Sequence, residues 1–208
     1  MKVLVSTTWG KEYDELCGII SPCNLEYCRR HGYEYNIHHC QFNSPSVYYN
    51  IHMNLAKEMM KYYDLIITLD SDLLIMDHRK RFEDIFDWNY DQIIADENLG
   101  PGCSPINAGA VLWKSCESSE ILMNILLRDR EKAEKDPRNW QQQISEMLAN
   151  KDPYISRMKV ISAHDLNAYC NPGKPPSYKR GDFAIHFYCT DYHRKVELAK
   201  KYSKEIAR

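Results

Sequence analysis

The stretch Leu65-Ile66-Ile67-Thr68-Leu69-Asp70-Ser71-Asp72-Leu73-Leu74-Ile75 constrains the fold more than any other part of the chain. It is rich in branched aliphatic residues and has no polar face apart from Thr68. Such a run suits a strand buried on both faces, as in a parallel sheet covered by helices. Open α/β sheets bind ligands at the carboxyl ends of their strands. Asp70 and Asp72 therefore stand where a sheet of this kind does its chemistry.

Two aspartates at i and i+2 repel each other. Keeping both ionised beside apolar sequence costs free energy unless a cation compensates them. Hard oxygen ligands of this kind suit Mg²⁺ or Mn²⁺, which commonly bring substrate phosphates with them. An isolated D-x-D also caps strands or starts turns. Here Leu73-Leu74-Ile75 follows at once, so the carboxylates interrupt hydrophobic sequence instead of sitting in an ordinary polar turn.

The chain has 208 residues, 44% of them hydrophobic and 27% charged. That length suits one substantial core and is short for two, so residues 1–208 are expected to form one domain. A formal net charge of −2 does not favour a nucleic-acid partner. No stretch approaches the ~20 apolar residues of a membrane span. Met1-Lys2-Val3-Leu4-Val5 enters a strand directly, which leaves no room for a signal peptide and points to the cytoplasm. The eight cysteines contain no C-x-x-C pair, so a zinc site is not expected and the thiols should stay reduced.

Along the chain, Val3 to Thr7 reads as the first strand, with Thr8-Trp9-Gly10 as its exit. Lys11 to Arg30 reads as helical, broken or kinked at Gly18 and Ser21-Pro22. Tyr33 to His38 alternates as a second strand, and 41–46 is a loop. Val47, Ile51, Leu55, Met59 and Tyr63 recur every four residues and predict the buried stripe of a helix. Phe82 to Phe86 is a short helix. Gln92 to Ala95 is a strand ending in Asp96-Glu97-Asn98, and Gly100-Pro101-Gly102 is a loop. Asn107 to Trp113 is a strand, after which Ser115 caps a helix. Asp136-Pro137 opens the helix carrying Trp140, Ile144, Met147 and Leu148. Met158 to Ile161 and Phe183 to Tyr188 are strands, 171–176 is a mobile loop, and Val196 to Arg208 is a charged helix that can continue as a connector. Strands alternate with helices at α/β spacing, so the expected fold is one mixed, mainly parallel sheet flanked by helices.

Four pieces now align with a known pattern: Tyr63 through Asp72, Asn107-Ala108-Gly109-Ala110-Val111-Leu112, Trp140 with Gln142-Gln143, and His186-Phe187. In this order, over residues 1 to about 190, they resemble the GT-A glycosyltransferases. Within these the chain is similar to the galactosyl- and mannosyltransferases of fungi and plants, and it also resembles the small glycosyltransferase domains of large algal viruses. The resemblance implies a single Rossmann-like GT-A domain. It further implies a Mn²⁺ (or Mg²⁺) ion held by Asp70, Asp72 and His186, and a nucleotide-sugar donor, UDP-sugar by preference. Thr7, Thr8, Trp9 and Tyr13 match the nucleotide-contacting loop, Tyr13 being able to stack on the base. Trp9 and Tyr13 suit helix–sheet packing equally well.

Asp70, Ser71 and Asp72 match the donor motif. Asn107, Ala108 and Gly109 match the donor-sugar site, the small residues letting a ring approach the backbone. A strand needing close packing is the other reading of the same residues. Gln142 and Gln143 stand where relatives often carry an acid before glutamine. An amide bonds hydroxyls but is neither base nor nucleophile. Asp96 and Glu97 are therefore the better candidates for a catalytic carboxylate, or else an ordinary solvated turn. Lys195 can meet the diphosphate or simply start a solvated helix. The acceptor implied is a hydroxyl of a carbohydrate or glycoprotein glycan. Two alternatives compete: a D-x-D phosphohydrolase, and an inactive nucleotide-sugar or carbohydrate-binding module.

Overall fold

The computed structural model describes residues 1–40, 45–97, 104–128, 139–170, 177–188 and 190–207, with the side chains of 45–49 and 139 outside that set. The expected loops at 100–102 and 171–176, the Asp136-Pro137 cap and Asn98 lie outside the described residues, as does the side chain of Val47; of the expected loop at 41–46, residues 41–44 lie outside them and 45–46 belong to a helix instead.

Strand β1 (Val3–Gly10) is the hub. It pairs in parallel with β2 (Glu34–Cys40) on one side and with β3 (Leu65–Asp70) on the other. Next to β3 lies β6 (Ile106–Lys114), antiparallel, then β5 (Gln92–Asp96), and β7 (Met158–Ile161) parallel to β5 at the far edge. The order β2-β1-β3-β6-β5-β7 makes a six-stranded, mainly parallel sheet with one reversed strand. A second sheet of three strands, β4 (Leu73–Ile75), β8 (Ala168–Tyr169) and β9 (Ala184–His186), adjoins it in the order β4-β9-β8. The single expected sheet is thus two.

The β3 run is buried on both faces, as its composition requires. Leu65, Ile67 and Leu69 pack with Val3, Val5, Tyr27 and Cys28 on one face. Ile66 packs with Leu4, Met53, Ala56, Val111 and Trp113 on the other. Thr68, the one polar residue of the run, accepts a 3.0 Å hydrogen bond from the indole Nε1 of the fully buried Trp113. That bond removes the cost of burying either group alone.

Helix α1 (Asp14–His31) is unbroken, contrary to expectation, although Pro22 lies inside it. A proline ring clashes with the carbonyl four residues earlier. The helix is held by a buried stripe of Leu16, Ile20, Asn24 and Tyr27. Asn24 bonds both the Leu73 carbonyl and the Ile75 N–H, pinning β4 in place. Gly32, at φ 71° in the left-handed region, ends the helix.

Helix α2 (Pro45–Met59) buries His52, Met53 and Ala56, not the strict every-fourth row. Steps of four drift around a helix of 3.6 residues per turn, whereas i, i+1 and i+4 stay on one face. Short α3 (Phe82–Ile85) and β5 follow as expected. Helix α4 (Glu117–Arg128) is not capped by Ser115, whose buried hydroxyl has no hydrogen-bond partner among the described residues. Helix α5 (Asn139–Ala149) buries Ile144 against Trp113 and Leu122. Four-residue α6 (Ala163–Leu166) precedes β8. Helix α7 (Tyr192–Tyr202) starts earlier than predicted because the Asp191 carboxylate caps its first turn by accepting from Arg194 N–H, and it also stops earlier, at Tyr202. No described helix is long and apolar enough to cross a membrane.

Candidate active site

Asp70 ends β3 in the large sheet, and Asp72 precedes β4 in the small one. The D-x-D turn is therefore the place where the chain leaves one sheet for the other. Strand β9 runs antiparallel to β4 and sets His186 opposite Leu73. The imidazole Nε2 lies 3.1 Å from Asp72 Oδ1 and 3.7 Å from Asp70 Oδ2. One ligand atom from each of Asp70, Asp72 and His186 falls within 4.8 Å of the others.

Lys195, on the first turn of α7, completes this cluster. Its Nζ is 2.6 Å from Asp72 Oδ2, with side chains 12% and 11% exposed. A solvated helix start is thus the wrong description of Lys195. Burial pushes the Asp70 carboxyl well above the usual carboxylate range, against the pull of His186. Burial would raise Asp72 too, but His186 and then Lys195 outweigh it and hold that carboxyl low. Burial would lower the imidazole, and Asp72 reverses this, so His186 is raised. Two carboxylates, one of them reluctant to ionise, and an imidazole make a donor set that fits a hard or borderline divalent cation.

The floor of the site is β6. Asn107 is 2% exposed, and its Oδ1 accepts from Gly109 N–H at 2.8 Å and from the Asn167 amide. At Gly109 an added Cβ would stand 2.4 Å from His186 Cε1 and 2.7 Å from its Nδ1. The ring that approaches this backbone within the protein is the imidazole. Ala108 N–H donates to Gln141 Oε1 at 3.0 Å, and Gln141 Nε2 donates to Glu97 Oε2 at 3.2 Å. Glu97 is buried at 3% exposure. Tyr169 stacks on His186 with centroids 6.1 Å apart. Burial, then the nearby Glu97, pushes the Tyr169 hydroxyl up. Gln141, Glu97 and Tyr169 thus form a largely buried polar group beside His186.

Asp96 is engaged differently: its Oδ1 accepts from Ala163 N–H at 2.7 Å, at the start of α6. Gln142 is exposed and donates to Glu146, one turn along its own helix. Gln143 has a buried Oε1 with no hydrogen-bond partner among the described residues. On a helix the position three before the buried Ile144 shares its face. That position is Gln141, so this spacing was the signal that could have singled it out. Tyr169 carries no such signal, since β8 brings it here only through sheet pairing, and Asn167 precedes that strand at the end of α6.

At the carboxyl end of β1, Thr8 pairs with Asp70 across the strands. The hydroxyls of Thr7 and Thr8 are buried without a partner among the described residues. Tyr13 packs edge-on against Tyr192, and Lys195 Nζ lies 5.8 Å from its ring centroid. Trp9 turns the other way. Its Nε1 donates to Asp14 at 3.2 Å, and its ring sits 6.0 Å from His39 at the end of β2. Ser71 presents its carbonyl 3.9 Å from Cys17 Sγ.

No curated protein matches this sequence. Solved structures do match its fold. A glycosyltransferase involved in glycosylating the major capsid of PBCV-1 aligns with a TM-score of 0.79 at 16% identity, over 97% of this chain and 100% of the other. The galactosyltransferase LgtC, solved with donor and acceptor sugar analogues, aligns with a TM-score of 0.62 at 10% identity, over 99% and 96% of the two chains. GlyE of Streptococcus pneumoniae TIGR4, a glycosyltransferase, aligns with a TM-score of 0.59 at 16% identity over 97% of this chain and 61% of its own. These show the GT-A fold. The model of the galactosyl transferase GMA12/MNN10 family matches residues 86–197, more than half of the chain. With the fold and that match, the chain belongs to the galactosyl transferase GMA12/MNN10 family and is a glycosyltransferase.

Proposed function

We propose that residues 1–208 form one metal-dependent glycosyltransferase domain. It moves a sugar from a nucleoside diphosphate sugar, UDP-sugar by preference, to a hydroxyl of a carbohydrate or glycoprotein glycan. The observation that carries this reading is the convergence of Asp70, Asp72 and His186 at the carboxyl end of β3. Family membership favours the transferase over the phosphohydrolase and the inactive binding module. Cys17, Cys28, Cys40, Cys116 and Cys170 are free thiols, which fits the reducing cytoplasm in this reading.

In the proposed site Asp70, Asp72 and His186 hold Mn²⁺ (or Mg²⁺). When bound, the ion supplies Lewis-acid stabilisation of charge on the departing diphosphate. Lys195 adds a positive charge beside it. Tyr13 offers a ring face at the same end of the site, where Thr7 and Thr8 bring hydroxyls. Asn107, Ala108 and Gly109 form the floor under the donor, and Gly109 does so by making room for His186. Glu97 is the carboxylate best placed to act on the sugar or acceptor. Gln141 holds it, and a carboxylate at 141 would be unable to donate that bond. LgtC, solved with both a donor and an acceptor analogue, supports a two-substrate site of this kind.

The test is thermal-shift screening against nucleotide-sugars with and without Mn²⁺. A ligand at about 100 times its dissociation constant stabilises by roughly 2.7 kcal/mol. A shift with UDP-sugar and Mn²⁺ together, followed by release of free UDP, is expected. No shift with any nucleotide-sugar would overturn the reading.

A further inference from the structure

Lys195 has a metal ligand as its partner in the folded chain. Its ammonium lies on one oxygen of Asp72 at 2.6 Å, while His186 Nε2 lies 3.1 Å from the other. Both side chains of the Lys195–Asp72 pair are nearly buried, so solvent screens the contact little. A divalent cation that takes Asp72 as a ligand must share that carboxylate with a like charge. The ammonium of Lys195 sits on a flexible four-carbon stem, one turn after the Asp191 cap of α7. The Tyr13 face, 5.8 Å away, offers the ammonium a second favourable neighbour.

We propose that Lys195 is an internal counter-cation that gates the metal site. Without nucleotide it occupies Asp72 and weakens divalent-ion binding. A bound diphosphate draws the ammonium off Asp72 and frees the carboxylate for the ion. Metal and diphosphate then bind cooperatively through one side chain, and the coupling is reciprocal. This inference rests on the proposed diphosphate-bearing donor.

The experiment measures Mn²⁺ affinity in the nucleotide-free protein, by electron paramagnetic resonance of the free ion, and UDP affinity with and without Mn²⁺ by calorimetry. Lys195→Met should bind Mn²⁺ alone about tenfold more tightly than the unmodified protein, and the Mn²⁺ effect on UDP affinity should shrink by about the same factor. Lys195→Arg keeps the charge and should bind Mn²⁺ like the unmodified protein, which controls for a loss of folding in the apolar variant. Unchanged or weaker Mn²⁺ binding by Lys195→Met, in a protein whose UDP binding still responds to Mn²⁺, overturns the gate alone. UDP affinity that ignores Mn²⁺ in the unmodified protein overturns both the gate and the reading beneath it.

Discussion

The imidazole of His186 rests against the bare Cα of Gly109, where any Cβ would stand 2.4 Å from Cε1. The glycine in the Asn-Ala-Gly segment is thus required by a residue 77 positions later (186 − 109). Gly109→Ala must push the ring away from Asp70 and Asp72. The expected cost is about 1–3 kcal/mol of stability, as for overpacking elsewhere. Mn²⁺-dependent UDP binding should fall by ~10–100-fold, the range for changes that disturb ligand orientation. Chemical denaturation and calorimetry measure the two effects. An alanine variant with native Mn²⁺ binding would show that the ring has another place to go.

Removing the proposed ligands themselves should be more severe. Asp72→Asn is expected to abolish most of the metal dependence of UDP binding while the chain stays folded. His186→Ala should weaken Mn²⁺-dependent binding by at least ~10–100-fold. The residual binding should hardly distinguish Mn²⁺ from Mg²⁺, because the imidazole is the ligand that favours the former. Calorimetric titration with each ion checks this. Unchanged Mn²⁺ affinity in folded His186→Ala would return the histidine to a purely structural role.

Asp96 and Glu97 are neighbours in sequence with opposite expectations. Glu97→Gln should lower turnover with little change in UDP affinity, the mark of an interaction made mainly in the transition state. Gln141→Glu should do the same, since it sets two carboxylates where the amide now donates to Glu97. Asp96→Ala should instead cost about 0.5–2 kcal/mol through loss of the bond to Ala163 N–H at the start of α6, with turnover retained. Rates of UDP release and melting curves for the three variants decide the assignment. Normal turnover in Glu97→Gln would remove it from the reaction.

His52 makes stability depend on pH. Burial on the inner face of α2 lowers its pKa to about 4, against the Ser6 carbonyl it bonds at 3.0 Å. The unfolded chain, with an ordinary histidine, binds the proton more readily than the folded one. The contribution is fully present above about pH 6.5 and is lost as pH falls towards 4, amounting to about 3 kcal/mol over that window. His52→Gln, which can still donate to Ser6, should flatten the stability profile between pH 7 and 5. Parallel profiles for the two proteins would mean that His52 takes up its proton without unfolding anything.

Much of this protein is legible in one dimension. An apolar run without a polar face has to be buried on both sides, so β3 and the sheet around it follow from residues 65–75 alone. Two carboxylates breaking that run mark the site, because repulsion between them calls for a cation. Local periodicity fails where a distant partner sets the outcome. Pro22 stays inside α1 because tertiary packing holds the buried stripe of Leu16, Ile20, Asn24 and Tyr27. The stripe of α2 shifted because the sheet selects a face that steps of four do not hold. Gln141, not Gln142, meets Glu97 because α5 is oriented by Ile144 in the core.

His186 and Lys195 show what only the fold decides. Each follows Asp72 by more than a hundred residues (186 − 72 = 114; 195 − 72 = 123) and reaches it through β9 or through the cap of α7. Whether a lysine is a solvated charge or a buried counter-ion depends on the dielectric and the partner it meets. Those are properties of the packed structure, and no sequence neighbour supplies them.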